Sequence, residues 1–195
     1  MAAVAKHWLP IVLMALVLAG IGWLVWRQFF DVYHLATVQN GVLYRDGVRS
    51  MHAFELGVNK TRVKTVVCLV DDQEIVQSPF VEELQYCHDH QIEVVRLPVL
   101  LGGWPDGDQI ASFLKIVNDP ARQPVMVHCA QGVRRTGMMV AAYQMSVLGY
   151  DAGRAQSALQ TFGHSERTVG DIKRFIAVYD PKSQHMTQQL PRSTE

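Results

Sequence analysis

Hydrophobic and polar positions divide the chain into three regimes. From Trp8 to Trp26 no charged residue interrupts the sequence for 19 residues. As a helix, such a run is long enough to cross a hydrocarbon core about 30 Å thick. Trp8 stands at one end, Trp23 and Trp26 at the other, and Arg27 closes the run. Amphipathic rings at both ends are the pattern of an aromatic belt. A cleaved signal peptide would have a shorter apolar region followed by a small-x-small site. Leu18-Ala19-Gly20 is a poor site of that kind, and the apolar run continues past it. Residues 1–28 therefore read as an uncleaved single-pass membrane anchor and 29–37 as a connector. Lys6 before the run is set against Arg27, Arg45 and Arg49 after it. The slight basic excess after the run predicts that the following domain is cytoplasmic.

From 38 to 180 the pattern changes to alternating strand and helix periods. Val42 to Arg45 reads as a strand ending in an Asp46-Gly47 turn, and Ser50 can cap a short helix to about Gly57. Val63 to Val70 is nearly apolar throughout, the mark of a strand covered on both faces. Pro79 to His90 has helical spacing (Phe80, Leu84, Cys87), Ile92 to Leu97 is the next strand, and Asp108 to Val117 carries an apolar stripe of Ile110, Phe113, Leu114 and Val117. Pro124 to His128 is a further strand. Helical stretches follow at Gly137–Leu148, Asp151–Phe162 and Val169–Val178. This order predicts an α/β domain with a central, mostly parallel sheet flanked by helices. The polar stretch 181–195 ends the last helix and is expected to be disordered. Eighteen Lys and Arg balance eighteen Asp and Glu, which removes the basic field that nucleic-acid binding would need. Three scattered cysteines do not make a disulfide framework and suit a reducing compartment.

The chemistry gathers at His128-Cys129-Ala130-Gln131-Gly132-Val133-Arg134-Arg135-Thr136-Gly137. A cysteine at the end of a strand, a short loop and a helix beginning near an arginine suit a bound phosphate. Loop N–H groups and the helix N-terminus both favour an anion there. The same field lowers the pKa of Cys129. Arg135 offers a planar fork for two phosphoryl oxygens, and Thr136 a hydroxyl for the sulfur. The stretch resembles the signature loop of the protein tyrosine phosphatase superfamily, His-Cys-x5-Arg-Ser/Thr-Gly, at every fixed position. The compact length is closest to the dual-specificity branch. The resemblance implies a metal-independent phosphatase without cofactor. Cys129 would be the nucleophile, Arg135 the phosphate clamp and Thr136 the partner of the thiolate. Ala130, Gln131, Gly132, Val133 and Arg134 would surround the substrate, supported by His128. It covers roughly Val38 to Asp180.

In that family a mobile loop upstream of the cysteine supplies an acid, often as Trp-Pro-Asp. Trp104-Pro105-Asp106 makes Asp106 the expected general acid, with Asp108 as the alternative and an N-cap its more natural role. Arg134 is a second cation at the expected pocket mouth and would favour substrates with several phosphates. Asp71-Asp72 reads as a loop start, not a magnesium site, and His88 and His90 do not share a helix face. The substrate class is a phosphomonoester on protein, or on a phosphoinositide or inositol phosphate. Two rivals remain. One is a rhodanese-like sulfurtransferase, against which the Arg135-Thr136-Gly137 ending argues. The other is a non-catalytic phosphate-binding membrane module, which would have no use for the thiolate.

Overall fold

The computed structural model describes residues 2–30, 32–183 and 185–186, without the side chains of 2–7, 9, 24, 26–30 and 185–186. The chain forms two compact units, residues 1–32 and 33–195. The first is a single helix, α1 (Ala2–Phe30), 29 residues long with Pro10 inside it. The described apolar side chains between Ile11 and Val25 are exposed. Among the described residues no helix is long and apolar enough to cross a membrane.

The second unit is built on a five-stranded sheet. β1 (Ala36–Gln39) lies antiparallel to β2 (Leu43–Gly47). β3 (Thr65–Cys68), β4 (Glu93–Arg96) and β5 (Val125–Cys129) are parallel to β2, in the spatial order β1-β2-β5-β3-β4. β5 is central and buried at all five residues. Parallel strands buried on both faces need apolar residues on both, which is why Val125-Met126-Val127 and Thr65-Val66-Val67 read as continuous runs. Side chains still alternate. Val125, Val127 and Cys129 join the core on one face, with α4 (Gly107–Val117), α5 (Arg134–Ser146) and α7 (Glu166–Val178). Met126 faces the other core, with α2 (Met51–Thr61) and α3 (Phe80–Asp89). Cys129 is thus delivered to the carboxyl end of the central strand, where open α/β sheets place their ligands.

Several boundaries differ from expectation. β1 occupies part of what reads as connector, because its pairing with β2 is a tertiary contact with no periodic signal of its own. The α2 helix runs past Gly57 to Thr61. A Cβ on Gly57 would stand 2.7 Å from Asp46 Oδ2, so this glycine makes room for a buried carboxylate instead of ending the helix. Of the helix expected over Asp151–Phe162, only α6 (Ala152–Ser157) forms. The chain leaves it at Ala158, and Phe162 and Gly163 take positive φ of 49° and 74°. The α5 helix begins at Arg134, three residues before the expected Gly137, so Arg134, Arg135 and Thr136 form its first turn. Within the expected disordered tail, His185–Met186 pairs with Tyr179–Asp180; residues 187–195 lie outside the described residues.

Asp46 is fully buried, and its Oδ1 accepts the Gly47 N–H at 2.8 Å while Oδ2 has no hydrogen-bond partner. Burial raises its pKa to about 7, against the smaller opposing pull of the Gly47 N–H and His128. A carboxyl whose folded pKa lies above its unfolded value near 3.9 stabilises the fold below pH ~4 and loses that contribution as pH rises towards 7. Asp46→Asn should therefore flatten the pH dependence of stability between pH 4 and 8. Its ΔG relative to the parent should gain on the order of 2–4 kcal/mol across that window. Chemical denaturation of both proteins at several pH values measures this, and parallel curves would refute it.

Candidate active site

The loop after Cys129 is shaped by what holds its carbonyls. Val48 N–H donates to Cys129 O at 3.3 Å, and His34 donates through Nδ1 to Gln131 O at 2.7 Å. Arg45 Nη2 donates to Gly132 O at 2.6 Å and Val133 O at 3.4 Å. The first three acceptors are drawn towards the β1–β2 side, while Val133 O also takes the Gly137 N–H at 2.7 Å; this leaves the loop N–H groups free to turn to its interior. Two glycines permit the approach. A Cβ on Gly47 would meet Gln131 O at 2.6 Å, and one on Gly132 would meet Asp46 O at 2.2 Å. Gly132 also has φ +66°, a conformation costly for any side chain.

Cys129 is 2 % exposed within this ring. Burial pushes its thiol up, but the Arg135 guanidinium, the Thr136 hydroxyl and the N–H groups of Thr136 and Gly132 outweigh it and hold the thiol below its ordinary range. The Thr136 hydroxyl is buried without an oxygen or nitrogen partner, which leaves it to the sulfur. Ala130 is half-buried and Gln131 is exposed at the loop's crest. The side chain of Val133 packs in the core, so its backbone alone faces the loop.

Arg135 is 4 % exposed, and Glu74 grips its fork through both carboxylate oxygens, at 2.5 and 3.1 Å. The carbonyls of Val99 and Leu69 accept further bonds from Nη1 at 3.2 and 3.4 Å. Two donors shared with a carboxylate fix the plane of a guanidinium as one could not. Glu74 is held in turn by Asp71. Asp71 Oδ1 accepts the N–H groups of Gln73 and Glu74, and Oδ2 accepts Leu101 N–H at 3.0 Å. The acidic pair expected as a plain loop start is therefore half structural: Asp71 ties the Glu74 turn to the 100–106 loop, and Asp72 pairs with Arg96.

Arg134, expected at the pocket mouth, turns elsewhere. Its Nη1 and Nη2 donate to Gly103 O and Gly102 O, both at 2.7 Å, and its Nε to Asp171. Asp171 also accepts Trp104 Nε1 at 3.1 Å and Arg174 at 2.9 Å. Partial burial raises the Asp171 carboxyl, but Arg174, Trp104 and Arg134 prevail and hold it below the usual range. With every nitrogen of its guanidinium engaged, Arg134 fastens the 102–104 turn to α5 and α7 and has no fork left for a second phosphate. Asp106 is exposed and is the N-cap of α4: Oδ1 accepts Gln109 N–H at 2.8 Å, and Gln109 returns a bond to the Asp106 N–H. The cap expected at Asp108 sits two residues earlier, because Gly107 already opens the helix. Asp108 lies in its first turn.

His128 faces away from Cys129, behind the loop. Its Nε2 lies 2.8 Å from Glu83 Oε1, and both side chains are wholly buried. Burial opposes the imidazolium, but the Glu83 carboxylate and then Cys68 raise its pKa well above the ordinary value. Among the described residues Cys68, Glu83 and His128 bring one ligand atom each within 4.8 Å of one another. The His128–Glu83 ion pair accounts for this cluster as it stands.

Residues 20–177 match the family model described as PTP-NADK, a DSP-PTPase phosphatase fused to NAD+ kinase. The chain belongs to this phosphatase family. It is 28% identical over 167 residues to the inositol diphosphatase DSP1 of Oryza sativa subsp. japonica, covering 82% of this chain and 68% of the relative. It is 25% identical over 144 residues to the dual specificity protein phosphatase TpbA of Pseudomonas aeruginosa, covering 72% of this chain. The chain spans 60% of that relative's length. The fold is that of the catalytic core of the PP-IP phosphatase SIW14 from S. cerevisiae, with a TM-score of 0.62 over 75% of this chain and 85% of that one, at 20% identity. The supporting residues Glu74, Asp71, Arg45, His34 and Asp171 escape a reading of the sequence, since each acts across a gap of 30 residues or more. The one available signal was the acidic cluster Asp71-Asp72 with Glu74.

The close approach at Gly132 gives a direct test. Gly132→Ala adds a left-handed strain of about 1–3 kcal/mol to a backbone collision that no rotamer relieves. We expect destabilisation of at least ~3 kcal/mol and loss of phosphate binding, read by denaturation and calorimetry. Parent-like stability would mean that the loop is not packed on β2 in this way.

Proposed function

We propose that this chain hydrolyses phosphomonoesters through a cysteinyl-phosphate intermediate. The observation that supports this best is the Cys129 thiol, buried yet held towards thiolate by Arg135, Thr136 and loop amides. In this reading the Cys129 sulfur attacks phosphorus and the ester oxygen leaves with a proton from Asp106. Loop N–H groups and the Arg135 guanidinium N–H groups that Glu74 does not occupy hold the remaining oxygens throughout. Water, deprotonated by the same carboxylate, then cleaves the sulfur–phosphorus bond, and the thiolate departs with the Thr136 hydroxyl beside it. Nothing in this scheme calls for a metal or a cofactor, since the electrostatic work falls to backbone dipoles and one guanidinium. Family membership favours this chemistry over sulfur transfer. A burst of one leaving group per site would set it apart from phosphate binding alone.

The substrate class is a phosphorylated inositol or lipid headgroup, or a phosphorylated protein. The name of DSP1 supports the phosphorylated inositol and that of TpbA the phosphorylated protein. We read residues 1–28 as a single-pass membrane anchor with the phosphatase on the cytoplasmic side. The uncharged run from Trp8 to Trp26 with tryptophan at both ends supports this. Membrane association that resists carbonate washing and disappears when 1–28 is deleted would bear the anchor out. A protein that washes off with salt would sink it.

Cys129→Ser should abolish p-nitrophenyl phosphate turnover while inorganic phosphate still binds; substantial residual turnover would overturn the covalent mechanism. Asp106→Asn should slow turnover ~10²–10⁴-fold, most for poor leaving groups. If Asp108→Asn shows that pattern and Asp106→Asn does not, the acid is Asp108.

A further inference from the structure

A guanidinium is costly to bury without a counter-charge, yet Arg45 on β2 is only 1 % exposed and among the largest fully buried side chains. Among the described residues it makes no ion pair with a carboxylate. Its Nη2 is given to Gly132 O and Val133 O, its Nε has no partner, and the Phe162 ring lies 5.2 Å from its centre. Burial lowers its pKa to about 10, and the charge that raises it in return is Cys129. The other titratable group facing it is His34, which stacks on Phe162 at 4.4 Å and is itself flanked by His164 and Arg49. These neighbours are neutral or positive. The negative partner of Arg45 is therefore the site: the Cys129 sulfur and whatever anion the loop encloses.

We propose that Arg45 is a positioning residue for anion binding by the signature loop, holding two loop carbonyls outward and placing a second permanent positive charge behind the pocket. The inference rests on the phosphatase reading and adds to it a residue outside the signature motif. Arg135 is in the motif's own helix and is steadied by Glu74. Arg45 approaches from the opposite side, from β2, and touches the loop through its backbone. A merely structural arginine would satisfy carbonyls and no more. This one also lies within electrostatic reach of the reacting sulfur. Phe162, held at a positive φ in the turn before α7, covers the guanidinium, and a cation on an aromatic face keeps its charge with little water.

The test uses the full chain, with inorganic phosphate as probe and the pH profile of Cys129 alkylation as second readout. Arg45→Met keeps the apolar stem and removes the charge. It should weaken phosphate binding ~10–100-fold and move the alkylation midpoint up by about one pH unit. Arg45→Lys returns a charge without the two-carbonyl grip, so it should restore most of the midpoint while phosphate binding stays weak. Should the Met variant fail to fold, the Lys variant alone decides: parent-like phosphate affinity overturns the proposal. A lower melting temperature with unchanged midpoint and affinity in both variants would also overturn it and leave Arg45 a structural residue. If the parent neither binds phosphate nor turns over p-nitrophenyl phosphate, the phosphatase reading itself has failed. If the parent does both and the Arg45 variants match it, only this inference falls.

Discussion

The arrangement depends on a reversal of backbone polarity around one thiol. A chain buried at the centre of a sheet normally exchanges its carbonyls and N–H groups evenly with its neighbours. Past Cys129 that balance is broken. The carbonyls of Cys129, Gln131 and Gly132 go to donors on the β1–β2 side, that of Val133 is shared between Arg45 and the Gly137 N–H of α5, and the amides are left for an anion. The reversal needs close contact between two backbones, which is why Gly47 and Gly132 face each other. It also needs donors that reach further than a backbone, which are Arg45 and His34.

The alternation of β5 then separates two charged environments that sit one residue apart. Cys129 faces the core of α4, α5 and α7, with guanidinium and amide dipoles around it. His128 faces the core of α2 and α3 and is matched by Glu83 at 2.8 Å. Each face balances its own charge. This limits interference, because a buried ion pair has a weak field at a distance whereas an unmatched buried charge does not. The Asp46 carboxyl lies at the junction, at the end of β2 opposite His128. A second full negative charge there would have to share the His128 imidazolium with Glu83, and burial keeps Asp46 protonated up to about pH 7.

The sequence made the centre of this arrangement legible and left its supports obscure. The strand into Cys129, the loop and the helix out of it form one continuous stretch whose residue types are all local. The same holds for the apolar stripe of α4 and the buried β3. Arg45, by contrast, stands beside Asp46-Gly47, which reads as a turn although both residues belong to β2, in a short strand where a polar residue is read as solvated. Nothing in its periodicity tells that β5 and the loop beyond it will cover it. Gly57 reads as a helix stop because glycine weakens helices, whereas its actual task is steric clearance for Asp46. Arg134 reads as a free cation because carbonyl acceptors on Gly102 and Gly103 have no signature in sequence. The shortened α6 belongs with these: the helix gives way where Phe162 is needed over Arg45.

The same logic bears on the loop that carries the proposed acid. A lid that closes on substrate is usually held loosely at both ends. Here the 100–106 loop is held along its length. Leu101 N–H is bound by Asp71, and the carbonyls of Gly102 and Gly103 by Arg134. Trp104 Nε1 is bound by Asp171, and Asp106 is fixed as the cap of α4. Asp71 also orders Glu74, which grips Arg135, and Arg134 is the neighbour of Arg135 on α5. The 100–106 loop and Arg135 therefore share two struts, one through Asp71 and Glu74 and one through adjacent arginines. A displacement of the loop large enough to act as a lid would break charged hydrogen bonds at Arg134 and loosen the fork of Arg135 with them. The structure sets Asp106 and Arg135 in one frame, with the Leu100 and Leu101 side chains, each 74 % exposed, standing clear of it.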